Sequence, residues 1–110
     1  LIAMNNPSLD KFLPLVIHGG TIIVDSSIVD EIPELEGIRV IKVPADSICA
    51  ELKNTRSANV CVLGALAKCF TLFSKDQYED GIREYFSSKP NVHEGNSKVF
   101  GAGYDYVKGE

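Results

Sequence analysis

Short β-branched runs alternate with helical patterns along this chain, and each run ends in a polar or proline-containing turn. Together they predict an α/β domain built on a mostly parallel sheet. Three places carry that expectation: Leu1 to Met4 runs straight into Asn5-Asn6-Pro7-Ser8, Thr21 to Val24 ends in Asp25-Ser26-Ser27, and Ile38 to Val43 is closed by Pro44. The 110 residues are 45% apolar and 24% charged, enough to form one globular core and too apolar for a disordered tail.

The elements follow in order. Leu1-Ile2-Ala3-Met4 is an apolar run delivered directly to a helix start, with Asn6 as the expected N-cap and Pro7 at the first helical position. A buried parallel strand feeding its crossover helix has this form. Such a strand needs neighbours on both sides, so the 110 residues are read as the C-terminal part of a longer domain that lacks its N-terminal strands here. Leu9, Phe12, Leu13 and Val16 share one helical face, and that helix is expected to stop at His18-Gly19-Gly20. Thr21 to Val24 is a buried strand. Glu31 to Gly37 is a loop around Pro33. Ile38 to Val43 alternates with period two, which places it near a sheet edge. Ala45 to Lys53 reads as a short helix with Ile48, Cys49 and Leu52 inward.

Ala58 to Phe73 is apolar nearly all round, with Lys68 as its charge, so a helix here must be buried on most faces. Ser74-Lys75-Asp76-Gln77 is a capping box that opens a helix to about Ser87, with Tyr78, Ile82, Tyr85 and Phe86 on its apolar face. Lys89-Pro90 breaks the chain, and a last helix runs from about Asn91 to Lys108 with Val92, Val99, Phe100, Gly103 and Val107 on one side. Gly101 and Gly103 are poor helix formers, and their presence implies that another backbone packs close by.

Composition excludes several classes of function. Fifteen acidic against eleven basic residues leave a net charge of −4 with no basic block, against a nucleic-acid partner. The apolar stretch from Val60 to Phe73 is interrupted by Lys68 and falls short of the ~20 residues a membrane span requires. The three cysteines, Cys49, Cys61 and Cys69, form no CxxC pair, so they read as reduced thiols of a cytoplasmic protein and not as cluster ligands. Gly101-Ala102-Gly103 starts like a dinucleotide fingerprint, but Tyr106 stands in place of the third glycine and no strand precedes it. His18-Gly19-Gly20 has the form of an esterase oxyanion loop without any GxSxG elbow, so a hydrolase built on His18 and Ser26 ranks low. His18 and His93 are too far apart in sequence to suggest a metal pair.

Two candidate contact sites remain. Asn5, Asn6, Asp25, Ser26 and Ser27 would lie at the carboxyl ends of parallel strands, the edge where open α/β sheets bind ligands. Arg56 and Asn59 flank the start of the apolar helix, where an anion or a partner's carboxylate would be favoured. Ordinary strand ends and helix caps account for the same residues.

The run Ile2-Ala3-Met4-Asn5-Asn6 with Leu9-Asp10-Lys11, then Gly19-Gly20-Thr21-Ile22-Ile23-Val24-Asp25-Ser26-Ser27, resembles the gamma subunit of 2-oxoacid:ferredoxin oxidoreductases. Val43-Pro44-Ala45, Arg56-Ser57-Ala58-Asn59-Val60, Leu63-Gly64-Ala65, Asn96 and Ala102-Gly103-Tyr104-Asp105-Tyr106 continue the likeness in order. The resemblance implies a Rossmann-like three-layer domain within a complex that decarboxylates a 2-oxoacid, such as pyruvate, passes the acyl group to coenzyme A and reduces ferredoxin. It further implies that thiamine diphosphate and iron–sulfur clusters sit on partner subunits (alpha, beta and a ferredoxin-like subunit) and that this chain binds no cofactor. No catalytic or metal-binding residue carries over. The family's N-terminal glycine-rich turn is not in this sequence. The alternative is a stand-alone small-molecule binding module using the strand-end crevice. The apolar helix further suggests that the 110-residue chain self-associates, most simply as a two-fold dimer.

The scattered thiols generate a test. Anaerobic reconstitution with iron and sulfide should leave the chain colourless, and sulfur-to-iron charge-transfer absorption would overturn the reading.

Overall fold

The computed structural model describes residues 1–30, 32–33, 35–88 and 90–107. Strands β1 (Ile2–Ala3), β2 (Thr21–Asp25) and β3 (Arg39–Val43) form a three-stranded sheet in the order β1-β2-β3. Both pairings are parallel, with Ile2 opposite Ile23 and Ile22 opposite Val40. Helices α1 (Asn6–Phe12), α2 (Ala45–Glu51), α3 (Ala58–Cys69), α4 (Lys75–Tyr85) and α5 (Pro90–Tyr106) complete the domain. The α/β class and the parallel sheet are as the sequence implied.

Alternation along β2 divides its side chains between two cores. Ile22 and Val24 face one side, where they meet Ala3, Leu9 of α1 and Val29. Ile23 faces the other, joining Ile41, Val43, Cys49 of α2 and the buried faces of α3 and α5. The result is three layers: α1, the sheet, and the α2–α3–α5 group. Helix α4 packs outside this last layer, with Tyr78 against Phe100 at 6.4 Å between ring centroids.

Several expected boundaries move. The N-cap of α1 is Asn5, whose side-chain oxygen accepts from the Ser8 backbone N–H; Asn6 is already helical and Pro7 is second. The helix ends at Phe12 and tightens into a 3-10 turn over Leu13–Leu15, well before His18. Pro14 is the cause, since it has no N–H for the next intrahelical bond and its ring crowds the preceding turn. Helix α2 stops at Glu51, leaving Leu52 41% exposed. Helix α3 stops at Cys69, and Phe70, Leu72 and Phe73 lie in the exposed turn that follows. The aromatic face of α4 is only partly inward: Ile82 is buried, while Tyr85 is 81% exposed and packs edge-on against Phe86. Pro90 opens α5, as a proline at a helix start can. Val92 is exposed, unlike Val99, Phe100 and Val107. Glu31, Glu34, Lys89 and Lys108 lie outside the described residues, as does the side chain of His93.

Helix α3 is covered by its own chain. Val60, Cys61, Val62, Gly64, Ala65 and Ala67 are all buried, against β2, α2 and above all α5. The α3–α5 crossing is backbone on backbone: a Cβ at Gly64 would collide with the Phe100 carbonyl, and one at Gly103 with the carbonyl of Cys61. The close-packing expectation therefore holds for Gly103. It fails for Gly101, whose Cβ position is open.

These two glycines make an internal control. Gly103→Ala should cost about 1–3 kcal/mol by overpacking, whereas Gly101→Ala should stabilise by up to about 1 kcal/mol through helix propensity. Urea unfolding of both variants reads the difference, and equal effects would contradict the crossing.

Candidate functional site

The carboxyl end of β2 supplies the densest polar arrangement in the chain. Asp25 is buried, at 1% exposure. Its carboxylate accepts from the Ser27 N–H at 3.0 Å and from the Asp46 N–H at 3.2 Å. Ser27 Oγ accepts from the Ser47 N–H at 3.2 Å and lies 3.0 Å from Ser47 Oγ. Ser26 donates its N–H to the Val43 carbonyl. The reason lies one strand away: Pro44 stands at the N-cap of α2 and has no side chain able to cap it. Asp25 and Ser27 perform that task from the neighbouring strand, satisfying N–H groups that a helix start leaves open. These residues do come together at the strand ends, but as the cap of α2.

Asn5 is likewise committed to capping α1. Asn6 Nδ2 donates to Asp30 at 3.0 Å, and its buried Oδ1 has no hydrogen-bond partner among the described residues. Four of the five strand-end residues named by the sequence thus serve local structure: Asp25 and Ser27 cap α2, Asn5 caps α1 and Asn6 ties α1 to the loop after β2.

The second candidate region lies at the start of α3, where the sequence placed it. Arg56 and Asn59 are exposed at the start of α3. Ser57 occupies the N-cap position but makes no cap bond. Its hydroxyl instead meets Asn54 Oδ1 at 3.0 Å and the buried Asn96 side chain at 2.6 Å. One hydroxyl proton cannot serve both, so one of the amides presents its NH2 group. This knot ties the α2–α3 turn to α5. No spacing rule could have joined Ser57 to Asn96, which are 39 residues apart.

Asn59 also lines a groove of about 580 Å3 between α3 and α4, together with Leu63, Phe73, Tyr78, Gly81 and Tyr85. Its walls are mostly apolar, and it was not legible from sequence because Tyr85 and Phe73 read there as core.

The remaining motifs resolve simply. Gly19, at φ +86°, donates its N–H to the Gly37 carbonyl, and the Gly20 N–H goes to Ile17, so the two amides cannot form an oxyanion hole. The His18 ring packs on Gly37. Among the described residues, no cluster of three or more His, Cys, Asp or Glu is placed to hold a metal ion, and no helix is long and apolar enough to cross a membrane. Burial raises the Cys49 thiol pKa, with Asp46 and Asp25 adding to the rise. Burial first, then Cys49 and Asp25, push Cys61 up to about 12.

A family model described as pyruvate ferredoxin/flavodoxin oxidoreductase matches residues 1–106. The chain belongs to that family. Over 109 residues it is 36% identical to the ketoisovalerate oxidoreductase subunit VorA of Methanothermobacter marburgensis, covering 98% of this chain and 23% of that protein. It is 30% identical over 111 residues to the 2-oxoglutarate synthase subunit KorC of Methanocaldococcus jannaschii, covering 98% of this chain and 58% of that one. The chain therefore spans well under two-thirds of the length of these family members. Two solved structures share its fold. One is the keto/oxoacid ferredoxin oxidoreductase gamma subunit of Geobacter sulfurreducens, at TM-score 0.83 and 24% identity over 96% of this chain and 61% of that one. The other is the 2-oxoglutarate:ferredoxin oxidoreductase of Magnetococcus marinus, solved with 2-oxoglutarate, coenzyme A and succinyl-CoA bound, at TM-score 0.81 and 23% identity over 97% of this chain and 20% of that one.

Two outcomes follow from the site. Asp25→Ala should destabilise the fold by about 1–3 kcal/mol, since it strips buried N–H groups of their acceptor, and Asp25→Asn should cost less; denaturant titration checks both. Because the Cys61 pKa is raised from 9.0 to about 12 on folding, its contribution is complete below pH 9 and is lost as pH rises from there toward 12. The fall of the urea midpoint over that range should be shallower in Cys61→Ala.

Proposed function

We propose that this chain is the gamma-type part of a 2-oxoacid:ferredoxin oxidoreductase complex and that it acts as a scaffold without a catalytic centre of its own. The complex oxidatively decarboxylates a 2-oxoacid to an acyl-CoA and reduces ferredoxin, in the cytoplasm. The observation that carries the reading is the alignment of 98% of the chain with subunits of ketoisovalerate and 2-oxoglutarate enzymes. The geometry supports the scaffold role, because Asn5, Asp25 and Ser27 at the strand ends are spent on capping helices. That same expenditure weighs against a stand-alone binding module at the strand-end crevice.

On this reading the alpha, beta and ferredoxin-like subunits hold the thiamine diphosphate and the iron–sulfur clusters. The chain would form the C-terminal portion of one gamma-type domain. β1 lies at an edge of the sheet, paired with β2 alone among the described residues, which supports a further strand beside it. Detached from such neighbours, the chain would pair with a second copy.

Affinity purification of the native protein from its own cells should bring down thiamine-binding and ferredoxin-like subunits, and their absence would overturn the assignment. The chain alone, supplied with 2-oxoacid, thiamine diphosphate, coenzyme A and a ferredoxin, should show no turnover above background. Activity of the lone chain would place a catalytic centre within it.

A further inference from the structure

Strand β3 closes the sheet, with β2 on one side and no strand on the other among the described residues. The bonds at its two ends fix which of its backbone groups are used. The Arg39 N–H goes to the Gly20 carbonyl and the Val43 carbonyl accepts from the Ser26 N–H, both on the β2 side. Backbone groups alternate between the two sides of a strand. Arg39, Ile41 and Val43 therefore serve β2, and the N–H and C=O of Val40 and Lys42 point away from it. Neither residue has another hydrogen-bond partner among the described residues. A row of unpaired backbone donors and acceptors is a template for a further strand.

A groove of about 890 Å3 borders this edge, between β3 and the helices α2 and α5. Ile41, Ile48, Leu52 and Tyr106 give it an apolar wall, and Leu52 and Tyr106 are exposed. Lys42, Glu51 and Asp105 supply its charges, two acids against one base. None of the three is in an ion pair among the described residues. Unpaired backbone groups beside an apolar trough fit an extended peptide, which bonds through its main chain and inserts alternate side chains.

We propose that the β3 edge docks an extended segment of a partner protein, with apolar side chains toward α2 and α5 and basic side chains at its flanks. The excess of acid in the groove selects the basic flanks. A second copy of this chain fits less well. Pairing β3 to β3 across a two-fold would bring Glu51 and Asp105 of each copy toward those of the other, in a chain of net charge −4. The docking edge is opposite β1 in the sheet, and its chemistry does not depend on the oxidoreductase assignment.

The probe is the acetylated and amidated hexapeptide Lys-Val-Thr-Val-Thr-Lys, titrated into the whole chain and followed by NMR, with Glu-Val-Thr-Val-Thr-Glu as the charge-reversed comparison. The lysine peptide should shift the amides of Val40, Lys42 and Leu52 saturably. It should also slow hydrogen exchange at Val40 and Lys42, and the glutamate peptide should bind at least several-fold more weakly. Glu51→Gln and Asp105→Asn should each weaken binding about two- to fivefold, the scale of one exposed ion pair. Val40→Pro removes an N–H that no ladder bond uses and should abolish binding, with its unfolding midpoint showing that it is folded. N-methylating the peptide, once at its valines and once at its threonines, tests the same bonds without touching the fold, and one of the two versions should fail to bind. No saturable response, equal affinity for the two parent peptides, unchanged exchange at Val40 and Lys42, or binding by both methylated versions would each overturn the proposal. Self-association of the chain that protects the same two amides would assign the edge to a second copy and overturn it equally.

Discussion

The backbone contact between α3 and α5 sets the position of almost everything else. Glycines in the middle of two helices cost about 1 kcal/mol each in helix propensity, and at Gly64 and Gly103 that cost is offset by an approach no larger residue allows. With the two helices this close, α3 can press on β2 while α5 covers its opposite side. Every buried side chain of α3 is then met from within the chain. Helix α4 cannot enter a space already filled. It leans on α5 through Tyr78 and Phe100 instead, and the gap on its other side is the apolar groove lined by Asn59, Leu63 and Tyr85.

What was legible in the sequence follows from how local each determinant is. The capping box at Ser74 and Gln77 involves four consecutive residues, and both of its reciprocal bonds are present. The strands were legible because β-branched runs bounded by polar residues are local signals too. Errors arose where a single residue overrode a pattern. Pro14 ended α1 within a face that reads as helical through Val16. The apolar run after Cys69 continued past the point where its helix stopped, so Phe70, Leu72 and Phe73 read as core and are exposed.

The candidate site illustrates the opposite limit. Its residues were correctly placed at the strand ends, but their role depended on Pro44, which lies 19 positions beyond Asp25 and leaves α2 without a cap of its own. A buried carboxylate accepting backbone N–H groups shares its composition with a binding site, and here it caps α2. The Ser57–Asn96 bond is a second case, in which a serine at an N-cap position turns inward to a partner on another helix. Sequence gives the residue type and the register, and only the packing decides which nearby group claims the hydrogen bond.

The interior of this domain is electrostatically unsuited to thiolate chemistry. Cys49 and Cys61 are buried, burial raises both thiol pKa values, Cys49 adds to the rise at Cys61, and the Asp25 carboxylate acts on both in the same direction. A thiol becomes a nucleophile or a ligand by losing its proton, which positive neighbours favour and these neighbours oppose. The positive charges near aromatic surface are instead at helix ends, with Lys11 over Phe12 on α1 and Lys68 and Lys75 over Tyr104. Phe70, Leu72 and Phe73, three of the exposed apolar side chains, sit in the turn between α3 and α4. Core packing and helix capping have claimed Asp25, Ser57 and Asn96, the buried polar side chains of the described residues, while these exposed charged and apolar groups lie at the ends of helices packed on one another.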